Sequence, residues 1–91
     1  MPTNRDIENC LLELLSRRAE SSSICPSDVA RTLAEDEAAW RALMPSVRRV
    51  AASLAREGCI VITQGDVTLD PSSIDQGPIR LQRGEKFRIS K

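Results

Sequence analysis

The sequence predicts an α+β fold that is mainly helical, with three helices followed by a β hairpin. Apolar residues recur at helical spacing along three successive segments, and beyond Gly58 they follow the spacing of extended strands. The 91 residues include one Trp, one Phe and no Tyr, so the core must consist of aliphatic side chains. This length suits one domain, predicted over residues 1–91 with its core at about 4–83 and a flexible tail at 84–91.

The first helix is predicted to run from Thr3 to about Arg18. Apolar side chains line one of its faces, at Ile7, Leu11, Leu14 and Leu15. Thr3 or Asn4 can cap its first turn, because both side chains offer an oxygen to the unpaired backbone N–H groups of that turn.

The second helix is predicted at about Ser27 to Ala34, after a brief extended patch at Ile24 and Cys25. Pro26 favours this start, because a proline at the opening of a helix loses no hydrogen bond. The acidic run at 35–37 is interpreted as a solvated connector that also complements the dipole of the next helix.

Pro45 is expected to open the main third helix, because proline disrupts a helix interior and restricts the residue before it. The buried stripe of this helix contains Val47, Val50, Ala51 and Leu54. The opposite, outward face contains Arg49, Ala52 and Arg56, flanked by Arg48 and Ser53. Gly58 is well placed as the residue that ends the helix.

A hairpin is predicted from the aliphatic run 59–63, the turn signal Gly65-Asp66 and the alternating return 67–69. The segment from Pro78 to Leu81 is short enough for a third strand or for an extended tail lying on the hairpin. Between them, residues 70–77 have the Pro and Ser content typical of an exposed loop.

The order of helix, extended piece, helix, turn, helix and hairpin is that of a winged-helix domain, a helix-turn-helix variant with a β wing. In that architecture the third helix is offered to the major groove of double-stranded DNA. The side chains predicted to face DNA are Ser46, Arg48, Arg49, Ser53 and Arg56. We therefore expect a DNA-binding protein, such as a transcriptional or accessory regulator.

The charge balance keeps a second expectation open. The chain has 13 Lys+Arg and 13 Asp+Glu and a pI of about 6.2, whereas a strongly basic domain is more typical of nucleic-acid binding. The outward arginines could equally form surface ion pairs with Glu35, Asp36 or Glu37. The alternative function is a non-catalytic protein-interaction or homo-oligomerisation module, with a second copy or another protein as its partner.

Catalytic residues, metal ligands and cofactors are not predicted. The chain has no His and no Tyr, and no carboxylate lies within an apolar stretch where its pKa would be raised. Cys10, Cys25 and Cys59 are too far apart for a zinc motif or a disulfide framework. They are interpreted as reduced and buried, the alternative being a reactive thiol at Cys25 that has no candidate base. From the missing catalytic residues we expect a non-enzymatic protein. No apolar run has membrane-spanning length, so we also expect a cytoplasmic protein without a membrane partner.

Three specific motifs occur together in the sequence: ICPSDVARTL at 24–33, WRALMPSVRRVAASLAREG at 40–58 and GPIRL at 77–81. Together they resemble a bacterial domain-of-unknown-function family of small winged-helix proteins. The resemblance extends from about Ile7 to Leu81 and implies a winged-helix fold, but no biochemical activity and no catalytic residues. Within the motifs, Arg41 and Arg80 are expected to hydrogen-bond to acids such as Asp28 or to helix ends.

Overall fold

The computed structural model describes residues 2–73 and 77–88. Over these ranges the helices are α1 (Asn4–Ser16), α2 (Pro26–Leu33) and α3 (Glu37–Arg56). The strands are β1 (Ser23–Ile24), β2 (Ile60–Gln64), β3 (Val67–Leu69) and β4 (Arg80–Arg83), and a 3-10 turn at Pro71–Ser73 follows β3. This architecture confirms the predicted α+β class and is consistent with a winged-helix fold.

The four strands form one antiparallel sheet in the order β1-β4-β2-β3. The predicted hairpin is present, with Gln64 opposite Val67 across a two-residue turn. The segment that the sequence left as a third strand or an extended tail forms β4. This strand lies between the hairpin and β1, so that Leu81 is opposite Ile62 on one side and Ile24 on the other.

The core is aliphatic, as predicted. Its largest fully buried side chains on the helices are Ile7, Leu11, Leu12, Leu15, Val29 and Val47, and those on the strands are Ile24, Ile60, Ile62 and Leu81. Burial of each side chain of this size contributes about 1.5–3 kcal/mol. Trp40 and Phe87 pack against this core but remain partly exposed.

The start of α1 is fixed by a reciprocal pair of hydrogen bonds. The backbone N–H of Asp6 donates to the Thr3 hydroxyl at 3.1 Å, and the backbone N–H of Thr3 donates to the Asp6 carboxylate at 2.9 Å. Each bond satisfies a backbone donor that has no partner within the helix. Of the two caps that the sequence allowed, Thr3 is therefore the one that is used.

The prediction that Pro45 opens the third helix is wrong. Helix α3 begins at Glu37, capped by the Asp36 carboxylate, and continues through Pro45 to Arg56. Leu43 and Val47, on either side of the proline, are both buried and lie on one helix face. Their burial favours a continuous helix, and because Pro45 is on the exposed side, water can hydrate the carbonyl that its missing N–H leaves unbonded.

Helix α3 ends as predicted at Gly58, whose φ of 81° is readily adopted only by glycine. The N–H of Gly58 donates to the Ala55 carbonyl and that of Cys59 to the Leu54 carbonyl, both at 3.0 Å. This pair of bonds is the Schellman motif.

The packed part of the chain extends beyond Arg83, the predicted limit of the core. Gly84 donates to the Cys59 carbonyl at 2.9 Å and Lys86 to the Gly58 carbonyl at 3.0 Å. A Cβ atom at Gly84 would lie 2.3 Å from the Gly58 carbonyl oxygen, so only glycine permits this approach. Residues 89–91 of the predicted flexible tail lie outside the described residues. Within the described residues, no helix combines the length and apolar character needed to cross a membrane.

Candidate nucleic-acid interface

The outward face of α3 carries the residues predicted to contact DNA. Arg49, Ser53 and Arg56 are exposed, whereas Ser46 and Arg48 are half-buried. This orientation follows from the opposite face, where the predicted stripe of Val47, Val50, Ala51 and Leu54 is buried. The structure therefore brings all five residues to one side of the helix, with three of them open to solvent.

Two of the arginines are positioned by hydrogen bonds to uncharged groups. The guanidinium of Arg49 donates to the hydroxyl of Ser46, one turn earlier, at 3.0 Å. That of Arg48 donates to the backbone carbonyl of Gly77 at 3.2 Å. Ser46 thus orients Arg49, and Arg48 links α3 to the chain that leads into β4.

The acidic run before α3 does not neutralise the outward arginines. Glu37 pairs with Arg41 at 2.8 Å and Asp36 caps the helix. Within the described ranges, no carboxylate comes within ion-pair distance of Arg49 or Arg56. The sequence left open whether the outward arginines form ion pairs with this acidic run or project into solvent. The structure shows the guanidinium groups of Arg49 and Arg56 projecting outward.

Ala52 departs from its predicted exposure. The sequence places it on the outward face, but only 6% of its surface is exposed. The reason is that the Pro71–Ser73 turn packs against α3. Helical spacing alone gives no warning of this contact, because the covering residues come from an aperiodic loop.

Two grooves run along the outward face, and Arg49 lines both. One, of about 460 Å3, lies between α3 and the first turn of α1, and its lining includes Arg5 and Glu8. The other, of about 560 Å3, lies between α3 and the residues Pro71 and Ser72. The α3 side of this second groove contains Met44, Pro45, Arg48, Arg49, Ala52 and Arg56.

Asp70 holds the turn that forms the outer wall of the second groove. Its carboxylate accepts hydrogen bonds from the Ser72 hydroxyl at 2.6 Å and from the Ser72 backbone N–H at 2.8 Å. These two bonds, with a smaller contribution from the Arg56 charge, lower the pKa of the Asp70 carboxyl from its ordinary value. Asp70 is therefore anionic at neutral pH, and it fixes the Ser72 turn beside α3.

Pro71 and Ser72 were not predicted from the sequence to be part of this site. The Asp-Pro-Ser segment after β3 is a signal for a turn, since Asp commonly accepts a hydrogen bond from the backbone two residues later. That signal predicts the local turn but not the helix on which it packs. The packing joins α3 to a turn that follows β3, a contact between segments distant in the sequence that local signals do not specify.

The cysteines do not come together in a reactive site. Cys59 is buried, and burial raises the pKa of the half-buried Cys10 thiol. Cys25 caps α2, and its sulfur accepts a hydrogen bond from the Ser27 hydroxyl at 3.1 Å. Over residues 2–73 and 77–88, no three or more potential metal ligands are close enough to share an ion.

Comparison with known proteins gives a family but no activity. No curated protein matches the chain significantly. A family model described as a protein of unknown function, DUF3253, matches residues 4–84. The match covers all three helices and all four strands. The chain therefore belongs to the DUF3253 family.

Proposed function

We propose that this protein binds double-stranded DNA through the outward face of α3. The observation that carries the proposal is the exposure of Arg49 and Arg56 on one helix face, with no carboxylate at ion-pair distance among the described residues. Exposed arginines of this kind bind phosphate oxygens well, because the planar guanidinium can donate two parallel hydrogen bonds.

The spacing of the two arginines suits a DNA surface. Arg56 follows Arg49 by seven positions, which is about 10.5 Å along a helix axis and within about 20° of the same direction. Phosphates of one DNA strand rise by about 3.4 Å each, so the two side chains can reach different phosphates of the backbone. Helices α2 and α3 pack together and are joined by residues 34–36 alone, an arrangement that supports a helix-turn-helix reading.

Fluorescence anisotropy with a labelled random-sequence duplex tests the proposal. Each phosphate that the protein neutralises lowers log K by about 0.9 per unit of log salt. Two contacts therefore predict an affinity about tenfold weaker at about 200 mM than at about 50 mM salt. The double variant Arg49→Ala/Arg56→Ala is expected to bind more weakly and to lose most of this salt dependence.

The double variant Arg17→Ala/Arg18→Ala is the matched control. It removes the same charge from exposed positions at the other end of α1, and it should retain wild-type binding. If the wild-type chain does not bind the duplex at low salt, or if both double variants lose affinity equally, DNA binding by the face of α3 is excluded.

A second candidate function is self-association through the edge of the sheet. Strand β3 is the last in the strand order, and Val67 at its start is 61% exposed. An edge strand with an exposed β-branched side chain can pair with the same strand of another copy. This observation favours the interaction module that the sequence left as an alternative.

Sedimentation velocity of the wild type and of Val67→Lys tests this second function. A dimer that dissociates on substitution supports it, because a lysine on an edge strand opposes pairing. Ser21→Lys places the same charge on an exposed residue before β1, at the opposite edge of the sheet, and should leave the dimer intact. A monomeric wild-type protein at every concentration measured would remove this candidate and leave DNA binding unaffected.

A further inference from the structure

We propose that the groove between α3 and the Pro71–Ser72 turn, hereafter the phosphate groove, seats a backbone phosphate of the duplex. It follows that the protein recognises the DNA backbone and not the base sequence. This inference rests on the proposed DNA binding and adds the chemical group that is bound and a second element, outside α3, that contacts it.

The charge of the phosphate groove favours an anion. Arg49 and Arg56 line it, and none of its described lining residues is acidic. The nearby Asp70 carboxylate, which holds the outer wall, accepts two hydrogen bonds from Ser72, and its single negative charge is outnumbered by the two guanidinium charges. The groove on the other side of Arg49 differs, because Glu8 lines it and would repel a phosphate. An anion approaching Arg49 is therefore favoured on the side of the Pro71–Ser72 turn.

Among the described residues that line the phosphate groove, the guanidinium groups of the two exposed arginines are the donors that remain available to an anion. The floor is Ala52, which is almost fully buried, and Pro45 and Pro71 lack a backbone N–H. The Ser72 hydroxyl already donates to Asp70. Less water can surround a charge beside such a surface, so each arginine–phosphate contact is stronger than on an open helix.

The same turn limits how deeply α3 can enter DNA. A helix with its side chains is about 10–12 Å across, and the major groove is about 12 Å wide. Helix α3 is made wider by the turn that covers Ala52, so helix and turn together exceed the groove width. The arginines at the rim meet the phosphates, while the base edges remain out of reach of the covered side of the helix.

Charge substitutions at Ser72 test the phosphate groove. Ser72 is exposed and lies on the wall opposite the arginines. Ser72→Glu adds a carboxylate that competes with the phosphate, so binding should weaken and the salt slope should fall by about 1. Ser72→Lys loses the same hydroxyl but adds a positive charge, so its affinity should exceed that of the wild type.

The comparison of Glu with Lys separates charge from any disturbance of the turn, which both variants share. Ser21→Glu makes the same charge change in an exposed loop before β1, the strand at the opposite edge of the sheet, and should bind like the wild type. Two duplexes of unrelated sequence should bind within about threefold of each other, because phosphate contacts carry no sequence information.

The outcomes distinguish this inference from the proposed function. If the wild type binds no duplex, both fail. If it binds duplex but Ser72→Glu and Ser72→Lys have equal affinities, the phosphate groove is excluded while DNA binding stands. A preference of more than about fivefold for one duplex, the smallest discrimination that readout of a single base pair supplies, would equally overturn recognition of the backbone alone.

Discussion

At the scale of single residues, Arg83 makes the most extensive set of contacts between distant parts of the chain. From β4 its guanidinium donates to the backbone carbonyls of Leu15, Ser16 and Arg18, at 3.2, 3.2 and 2.9 Å. These carbonyls lie at and beyond the end of α1, where helical donors run out. The Leu15 carbonyl also accepts the backbone N–H of Arg18 at 3.2 Å. The guanidinium also lies 4.8 Å from the centre of the Phe87 ring.

Arg41 and Arg80 were expected to hydrogen-bond to acids or to helix ends, and among the described residues Arg41 alone of the two does so. Arg41 pairs with Glu37, and Arg80 donates to the hydroxyl and carbonyl of Ser23 on the neighbouring strand. Neither contacts Asp28, whose carboxylate accepts the backbone N–H of Cys25. The end of α1 is close to β4 only in the folded sheet, so nothing in the local sequence distinguishes Arg83 from the other arginines.

We expect Arg83→Ala to lower the free energy of unfolding by about 1.5–3 kcal/mol, because it leaves several carbonyls without their charged donor. Arg83→Lys should lose less, because all three bonds come from the single nitrogen Nη2 and an ammonium group can supply a charged donor of that kind. Urea unfolding followed by circular dichroism measures both values. Arg18→Ala, which keeps the Arg18 carbonyl, is the control, and an equal loss in this control would contradict the role of the Arg83 guanidinium.

At the scale of elements, the sequence predicted the kind of each element better than its limits. Local signals were sufficient where a boundary is made by local hydrogen bonds, as at Thr3 and Gly58. They failed at Pro45, because the packing of residues on both sides of the proline outweighs its intrinsic preference. They also left β4 undecided, since a short strand between two others is defined by its neighbours and not by its own sequence.

Pro45→Ala distinguishes a continuous α3 from a helix that begins at residue 45. In a continuous helix the substitution restores a hydrogen bond and removes a steric clash, which raises the free energy of unfolding by about 3 kcal/mol. Alanine also makes the unfolded chain more flexible, which lowers the free energy of unfolding by up to about 1 kcal/mol. We therefore expect the free energy of unfolding to rise by about 2 kcal/mol. If Pro45 opened a helix, alanine would leave stability unchanged or lower it.

The control for this prediction is Pro78→Ala, which lies outside every helix and strand. It restores no helical hydrogen bond, so it should lower the free energy of unfolding by about 0.4–1 kcal/mol through the unfolded chain alone. Chemical denaturation of the two variants side by side measures the contrast. Equal changes of the same sign would show that α3 gains nothing from an N–H at residue 45.

At the scale of the whole molecule, the candidate site depends on how the sheet is assembled. The zero net charge kept a function other than nucleic-acid binding open, yet the acids are used locally: Asp6 and Asp36 cap helices, and Asp70 holds a turn. This distribution leaves the outward face of α3 with exposed arginines despite the overall balance. Composition alone cannot reveal this separation of positive from negative charge. The separation depends on which acids cap the helices and hold the turns in the folded chain.

The strand order also constrains how the protein folds while it is being synthesised. Strand β4 is the last strand in the chain and lies between β1 and β2, so that Ile24 is paired with Leu81, 57 residues later. While a ribosome is still making residues 80–83, β1 has no neighbour and part of the apolar interior is open to the surrounding solution. The nascent polypeptide must therefore keep the residues before β4 from aggregating until that strand emerges and completes the sheet.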